Sequence, residues 1–198
     1  MESRSPVLKL ASVSPRRREL LAQIGVPHVV VGAQIDESAL PGERPHDYVQ
    51  RMARTKAQAV WSQDQSLPVL AADTTVVLDG VIYGKPSDRE DALRMLARLS
   101  GRTHEVLTAV ALAHAQGLAL RMNVSTVRFR VLTAEECAAY WDTGEPRDKA
   151  GGYAVQGHAA VFIESLSGSY SGVMGLPLFE TAELLLAAGV PTWCRMGS

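Results

Sequence analysis

The run Val69-Leu-Ala-Ala-Asp-Thr-Thr-Val-Val-Leu78, followed at once by Asp79-Gly80, constrains the fold more than any other part of the chain. So apolar and β-branched a segment is a strand. Asp-Gly fits the two positive-φ positions of a type I′ turn, which sends the chain back antiparallel. A second, longer hairpin follows, with His104–Ala113 and Leu118–Val131 pairing around Ala115-Gln116-Gly117.

The remaining segments alternate between strand and helix patterns. Val7–Ser12 reads as a buried strand, and Ser14–Gly25 as a helix with Ser14 at N-cap, Pro15 at N1 and Gly25 just past its end. His28–Gly32 is a strand and Pro45–Trp61 a helix. Ser87-x-x-Glu90 and Thr133-x-x-Glu136 are capping boxes, opening one helix that runs to Leu99 and another that ends before Gly144. Short strands are expected around Tyr153–Val155 and Val161–Ser165, then a helix through Leu178–Ala188 closed by Gly189. Alternation combined with hairpins predicts an α/β fold on a mixed sheet flanked by helices, not a pure doubly wound one. No repeat, low-complexity tract or long linker interrupts it, so residues 1–198 are read as one domain of one or two lobes.

Charge then limits the partners. Twenty basic residues against 21 acidic ones give a net charge of −1, without the basic excess that extended DNA or RNA demands. Any cationic site must be local. Cys137 and Cys194 lie far apart with no CxxC, and the five histidines show no ligand spacing, which disfavours a zinc site or a disulfide framework. There is no signal-peptide pattern and no stretch near the roughly 18 apolar residues that span a bilayer, so a cytoplasmic protein is expected.

Four places break the local structural rules, and such places tend to carry function. Ser12-Val-Ser-Pro-Arg-Arg-Arg18 sets three arginines in the first turn of a helix, at the positive end of its dipole. Either they splay into solvent, or Arg16 and Arg17 join the free N–H groups in a phosphate cradle, with Arg18 facing solvent. Lys56 occupies a position of the apolar stripe Val49, Met52, Ala53, Ala57, Val60. Its ammonium either snorkels outward or points into a cleft. Asp73 lies inside the apolar strand, where a carboxylate must be paired, hydrogen-bonded or bound to a metal. The alternative is an Asp that caps a neighbouring loop. Finally, Asp148-Lys-Ala-Gly-Gly-Tyr-Ala-Val-Gln-Gly157 is a glycine-rich segment with Lys149 and Gln156 as donors, either a plain turn or a close approach to a ligand. It fits neither GxxxxGK[ST] nor GxGxxG. Asp36-Glu37 and Gly84-Lys85-Pro86 add charges that, taken alone, read as surface residues.

Together these segments resemble the Maf family of nucleotide pyrophosphatases. The matching stretches are Leu10-Ala-Ser-Val-Ser-Pro-Arg-Arg17, Asp36-Glu37, Arg54-Thr-Lys-Ala57, Ala72-Asp-Thr74, Gly84-Lys-Pro86, Leu99-Ser-Gly-Arg-Thr-His104, Asp148-Lys-Ala-Gly151 with Tyr153 and Gln156-Gly157, and Gly175-Leu-Pro177. They run in family order across about residues 8–188. The resemblance implies two lobes around a central cleft, cleavage between the α- and β-phosphates of a nucleoside triphosphate, and a divalent cation, Mg or Mn. It implies Asp73 as catalytic proton acceptor, and substrate choice at Arg16, Thr74 and Gln156. Tyr153-Ala-Val-Gln156-Gly157 resembles the branch acting on dTTP and UTP.

On that basis Glu37 and Asp73 are expected to share the metal. Arg16, Arg17, Lys56 and Lys85 would hold the β- and γ-phosphates with help from Ser12, and Lys149 would help close the site. Thr74 and Gln156 would read the base. Alternatives are a nucleotide-binding regulator with little turnover, or a pyrophosphatase for 7-methyl-GTP or inosine triphosphate. The expected partner is a small nucleotide, with no nucleic-acid polymer and no membrane, and the resemblance allows a homodimer.

Overall fold

A computed structural model describes residues 5–193, so Cys194 lies outside the described residues. One seven-stranded mixed sheet forms the frame. Its strands are β1 (Leu8–Leu10), β2 (His28–Val30), β3 (Val69–Leu78), β4 (Val81–Tyr83), β5 (Thr103–His114), β6 (Gly117–Phe129) and β7 (Ile163–Ser167). The helices are α1 (Pro15–Gln23), α2 (Pro45–Trp61), α3 (Arg89–Leu99), α4 (Ala134–Asp142), α5 (Tyr170–Met174) and α6 (Leu178–Ala187). The order is β2-β1-β3-β5-β6-β7, with β4 paired to β3. β1 runs parallel to β2 and β3, whereas β3, β5, β6 and β7 run antiparallel. Among the described residues no helix is long and apolar enough to cross a membrane.

The two hairpins follow the expected chemistry. Asp79 (φ 52°) and Gly80 (φ 75°) both sit at positive φ, as the I′ turn between β3 and β4 requires. The β5–β6 ladder is continuous from Thr103↔Arg128 to His114↔Gly117. Thr133 and Glu136 form the complete reciprocal capping box at α4. At α3 the cap moves one residue. Asp88 accepts from the N–H of Asp91, while the Asp91 carboxylate accepts from the N–H of Ser87, because a carboxylate competes better for the open helix end than the Ser87 hydroxyl does.

A larger correction concerns residues 153–155. The chain there is not a strand. It leaves a short 3-10 turn at Ala150–Gly152 and enters another at His158–Phe162. Its apolar side chains are buried by packing: Tyr153 lies edge-on to Phe129 (centroids 4.8 Å) and to His104 (5.4 Å). The last strand begins at Ile163, two residues later than expected.

Side chains alternate across β3, and the core divides accordingly. On one face Leu70 and Ala72 pack with α1 and α6, and Val76 and Leu78 pack with α3 and α4. On the other face Val69, Ala71 and Val77 pack with α2. β1 accompanies β3 only as far as Leu70, and β4 joins it only from Val76. Between those points β3 is paired on the β5 side alone, which leaves a notch in the sheet edge around Asp73 and Thr74. The central cleft opens there, between the α1/α2 end of the sheet and the α3/α4 end.

Candidate functional site

A cavity of about 570 Å³ fills this notch, within the usual range for small-molecule sites. Its walls hold Ser12, Arg16, Arg17, Glu37, Lys56, Asp73, Thr74, Lys85, Lys149 and Gln156, so every residue singled out for chemistry faces one space. Five cations (Arg16, Arg17, Lys56, Lys85, Lys149) meet three carboxylates (Glu37, Asp73, Asp148) there. The cations outnumber the carboxylates, so the site has a positive excess in a protein of nearly neutral net charge, which suits a polyanion. Arg18 is exposed, and Asp36 points away to accept the N–H of Ser38.

Asp73 and Thr74 are sequence neighbours on opposite faces of β3, and both reach the cavity around the open strand edge. Asp73 faces α2. Lys56, on the buried stripe of that helix, extends between two carboxylates and donates to Asp73 Oδ1 at 2.7 Å and to Glu37 Oε1 at 2.7 Å. The ammonium thus turns inward, because it exchanges water for a carboxylate on either side. Asp73 Oδ2 makes no hydrogen bond among the described residues and is not among their fully buried polar atoms, and Asp73 lines the cavity. Tyr48, one turn before the stripe's Met52, donates its hydroxyl to the Glu37 carbonyl at 3.0 Å and helps fix that loop on α2.

Two carboxylates on one lysine acquire opposite properties. Burial pushes the Asp73 pKa upward. Lys56 and Arg17 oppose the shift without cancelling it, and the Glu37 charge adds to it. Burial raises Glu37 as well, but Lys56, Lys85 and Arg17 outweigh it, so its pKa falls below the usual value. Neighbouring acids driven apart in this way are suited to different tasks: Asp73 to take up a proton, Glu37 to remain an anion.

Thr74 faces the other way, toward α1 and α5. Arg17 donates from Nε to the Gly175 carbonyl (2.7 Å), from Nη1 to Ser12 Oγ (3.2 Å) and from Nη2 to Thr74 Oγ1 (3.2 Å). Burial lowers its pKa, with Asp73 opposing and Arg16 adding to the shift. A guanidinium stays protonated even so, and here it is a fixed charge. Ser12 Oγ also accepts the N–H of Ser14, which tightens the turn into α1. The Ser14 side chain makes no cap bond, so the N–H groups of the first turn are not capped by it.

The third wall is the segment 144–158. Gly151, at φ 67°, donates its N–H to the Gly84 carbonyl (2.9 Å), and a Cβ there would come within 2.8 Å of Val76 Cγ2. Only glycine permits that approach, which brings Lys149 and Lys85 to one rim. Lys149 pairs with Asp148. Gln156 is exposed at the rim, on a turn whose ends are fastened. Ala154 donates its N–H to Tyr140 Oη (3.1 Å), Tyr140 donates to Glu145 Oε1 (2.7 Å), and Glu145 Oε2 accepts the N–H of His158 (3.1 Å). Glu145, Tyr140 and Thr108 carried no signal in the sequence, and Gly175 stood out only within the Gly175-Leu-Pro177 stretch, with no role attached.

The donor set fits a hard divalent cation. Glu37 and Asp73 offer carboxylate oxygens already drawn to one point by Lys56 Nζ, and both line the cavity. Among the described residues no group of three or more His, Cys, Asp or Glu gathers. Two carboxylates completed by substrate phosphate and water is the usual arrangement for Mg rather than for a protein cage.

Residues 7–188 match the family described as Maf-like protein. A dTTP/UTP pyrophosphatase from Bordetella avium (strain 197N) is 55% identical over 194 residues, covering 93% of this chain and 96% of its own. Another, from Hahella chejuensis (strain KCTC 2396), is 52% identical over 189 residues, 94% of each chain. The Staphylococcus aureus Ham1 protein, a solved structure, overlaps 62% of this chain and 71% of its own at 14% identity, with a TM-score of 0.46. With the family match spanning nearly all of the chain, this protein belongs to the Maf family.

Proposed function

We propose that the chain hydrolyses nucleoside triphosphates, dTTP and UTP in preference to others, to the monophosphate and pyrophosphate. The observation that carries this reading is Asp73: a buried carboxyl with a raised pKa and one oxygen open to a cavity crowded with cations. The relatives named dTTP/UTP pyrophosphatase at 52–55% identity supply the substrate.

A triphosphate carries about four negative charges, so holding it and neutralising it are most of the task. Arg17 and Arg16 at the α1 N-terminus, with Lys85 and Lys149 at the rim, bind the outer phosphates and stabilise the leaving pyrophosphate. Asp73 Oδ2 takes the proton of the water that attacks the α-phosphorus, and the bond to the bridging oxygen breaks toward pyrophosphate. Lys56 holds Asp73 by its other oxygen and opposes the upward pull of burial on its pKa. A Mg or Mn ion held by Glu37 and Asp73 would supply further charge neutralisation and polarise the phosphate. Gln156, on its fastened turn, reads the base edge with an amide that offers both donor and acceptor.

The test is pyrophosphate release from dTTP, UTP, CTP, 7-methyl-GTP and inosine triphosphate, with Mg or Mn added. Preferred turnover of dTTP and UTP supports the reading. Stoichiometric binding without released pyrophosphate overturns it in favour of a nucleotide-binding regulator.

A further inference from the structure

Beneath Arg17 lies a file of hydroxyl groups that ends on a backbone carbonyl. Thr74 Oγ1 is 3.0 Å from Thr108 Oγ1, and Thr108 Oγ1 is 2.8 Å from the carbonyl oxygen of Gly172. Thr108 stands directly opposite Thr74 in the β3–β5 ladder and is only 1% exposed, so it touches no substrate.

The protons in this file can be assigned. A hydroxyl has one proton, and the Gly172 carbonyl can only accept. The Thr108 proton therefore goes to Gly172, the Thr74 proton goes to Thr108, and the Thr74 oxygen accepts from Arg17 Nη2. Once this is done Thr74 has no proton left for a base. The guanidinium is committed once on each nitrogen, to Gly175, Ser12 and Thr74. The second N–H on each Nη has no partner among the described residues, and the cavity lies beside them.

The end of the file is itself held. α5 is capped by Ser169, whose Oγ accepts the N–H of Gly172 (3.0 Å), and the N–H of Ser169 donates to Ser125 Oγ on β6 (2.9 Å). A Cβ on Gly172 would lie 2.9 Å from Asn123 Oδ1, so the helix sits as close to the sheet as glycine allows. The same short helix and the turn after it thus present two carbonyls, Gly172 to Thr108 and Gly175 to Arg17.

We infer that Thr108 is a positioning residue for phosphate binding: it orients the Thr74 hydroxyl so that Arg17 is locked with two N–H groups aimed at the pyrophosphate end of the substrate. Thr74 then contributes to the grip on the phosphates through Arg17. The inference rests on the reading of the cavity as a triphosphate site, but it concerns only the anion and can be tested without turnover.

The experiment compares wild type, Thr108→Val and Thr108→Ser for inorganic pyrophosphate binding by calorimetry with Mg present, and for KM and kcat on dTTP and CTP. Thr108→Val should weaken pyrophosphate binding and raise both KM values about 10-fold, the size of one charge-assisted hydrogen bond. The dTTP-to-CTP ratio of kcat/KM should stay unchanged, and Thr108→Ser should restore binding to within about 2-fold. If circular dichroism shows the valine variant unfolded, Thr108→Ala removes the same hydroxyl with no methyl forced against Gly172. Pyrophosphate affinity equal to wild type in the hydroxyl-free variant overturns the inference. So does a shifted nucleotide ratio at unchanged pyrophosphate affinity, or a wild type that binds no pyrophosphate. A wild type that binds pyrophosphate but hydrolyses no nucleotide sinks the hydrolase reading and leaves this inference standing.

Discussion

The two sides of the cleft are built by different means. On one side, Asp73, Lys56 and Arg17 project from β3, α2 and α1, where ladder and helix bonds fix the backbone. On the other, Lys149 and Gln156 sit on a segment of 3-10 turns held by the side chains of Tyr140 and Glu145 and by the glycine contact at Gly151. The proposed proton acceptor, its lysine partner and the buried arginine stand on regular structure, which holds a reacting group to a fraction of an ångström, whereas Glu37, Lys85 and Lys149 stand on connecting segments. Gln156, proposed to read the base, stands on a loop, which can vary between relatives while the frame stays fixed. Changes at Asp73, Lys56 or Arg17 should therefore cost turnover, and changes to the turn that carries Gln156 should cost selectivity.

The largest effect belongs to Asp73→Asn. Turnover should fall on the order of 10³-fold while circular dichroism and melting stay near wild type, since the amide keeps the size and loses the proton acceptor. Lys56→Met comes next, with a loss of on the order of 10²-fold and a change in the pH profile. Lys56 holds the Asp73 pKa down against burial. Its removal lets that pKa rise further, so the acid limb of kcat/KM must move to higher pH. A limb that stays in place would detach Asp73 from the rate.

Glu145→Gln breaks the other side. The carboxylate fastens the Gln156 turn through Tyr140 and the N–H of His158. The amide should lower the preference for dTTP over 7-methyl-GTP by about 10-fold with little change in kcat for dTTP. An equal loss on all nucleotides would place Glu145 with the first side instead.

The smallest effect concerns stability. His104 is buried on β5, its Nε2 is 2.8 Å from Tyr153 Oη, and burial lowers its pKa to about 4 from 6.5. Above 6.5 the ring is neutral in the folded and unfolded chain alike, and its contribution to stability is fully present. As pH falls from there toward about 4, the unfolded chain takes up the proton first and that contribution is lost. The melting temperature of His104→Phe should thus fall less steeply than that of wild type over this window.

The same division decides how much could be read in advance. Pro45–Trp61 and Val69–Leu78 were legible to the residue, because a 17-residue amphipathic helix and an uninterrupted apolar strand leave little choice of period. Asp73 stood out because burying a carboxylate in such a strand is costly. Lys56 was ambiguous, since a long side chain at a stripe position can turn either way, and only the two carboxylates around it decide. Residues 153–155 misled because a short apolar run looks alike in a strand and in a buried turn. α5 is only five residues, Tyr170-Ser-Gly-Val-Met174, too short to show a period, so its carbonyls were invisible. Thr108 in turn looked like any β-branched strand residue.

The central claim is that Asp73 directs water onto the α-phosphorus while the cations hold the departing pyrophosphate. Hydrolysis of dTTP in water enriched in oxygen-18, with both products analysed by mass spectrometry, addresses it directly. The account predicts one labelled oxygen in the monophosphate and none in the pyrophosphate. Label in pyrophosphate, or release of orthophosphate with a nucleoside diphosphate, would contradict it.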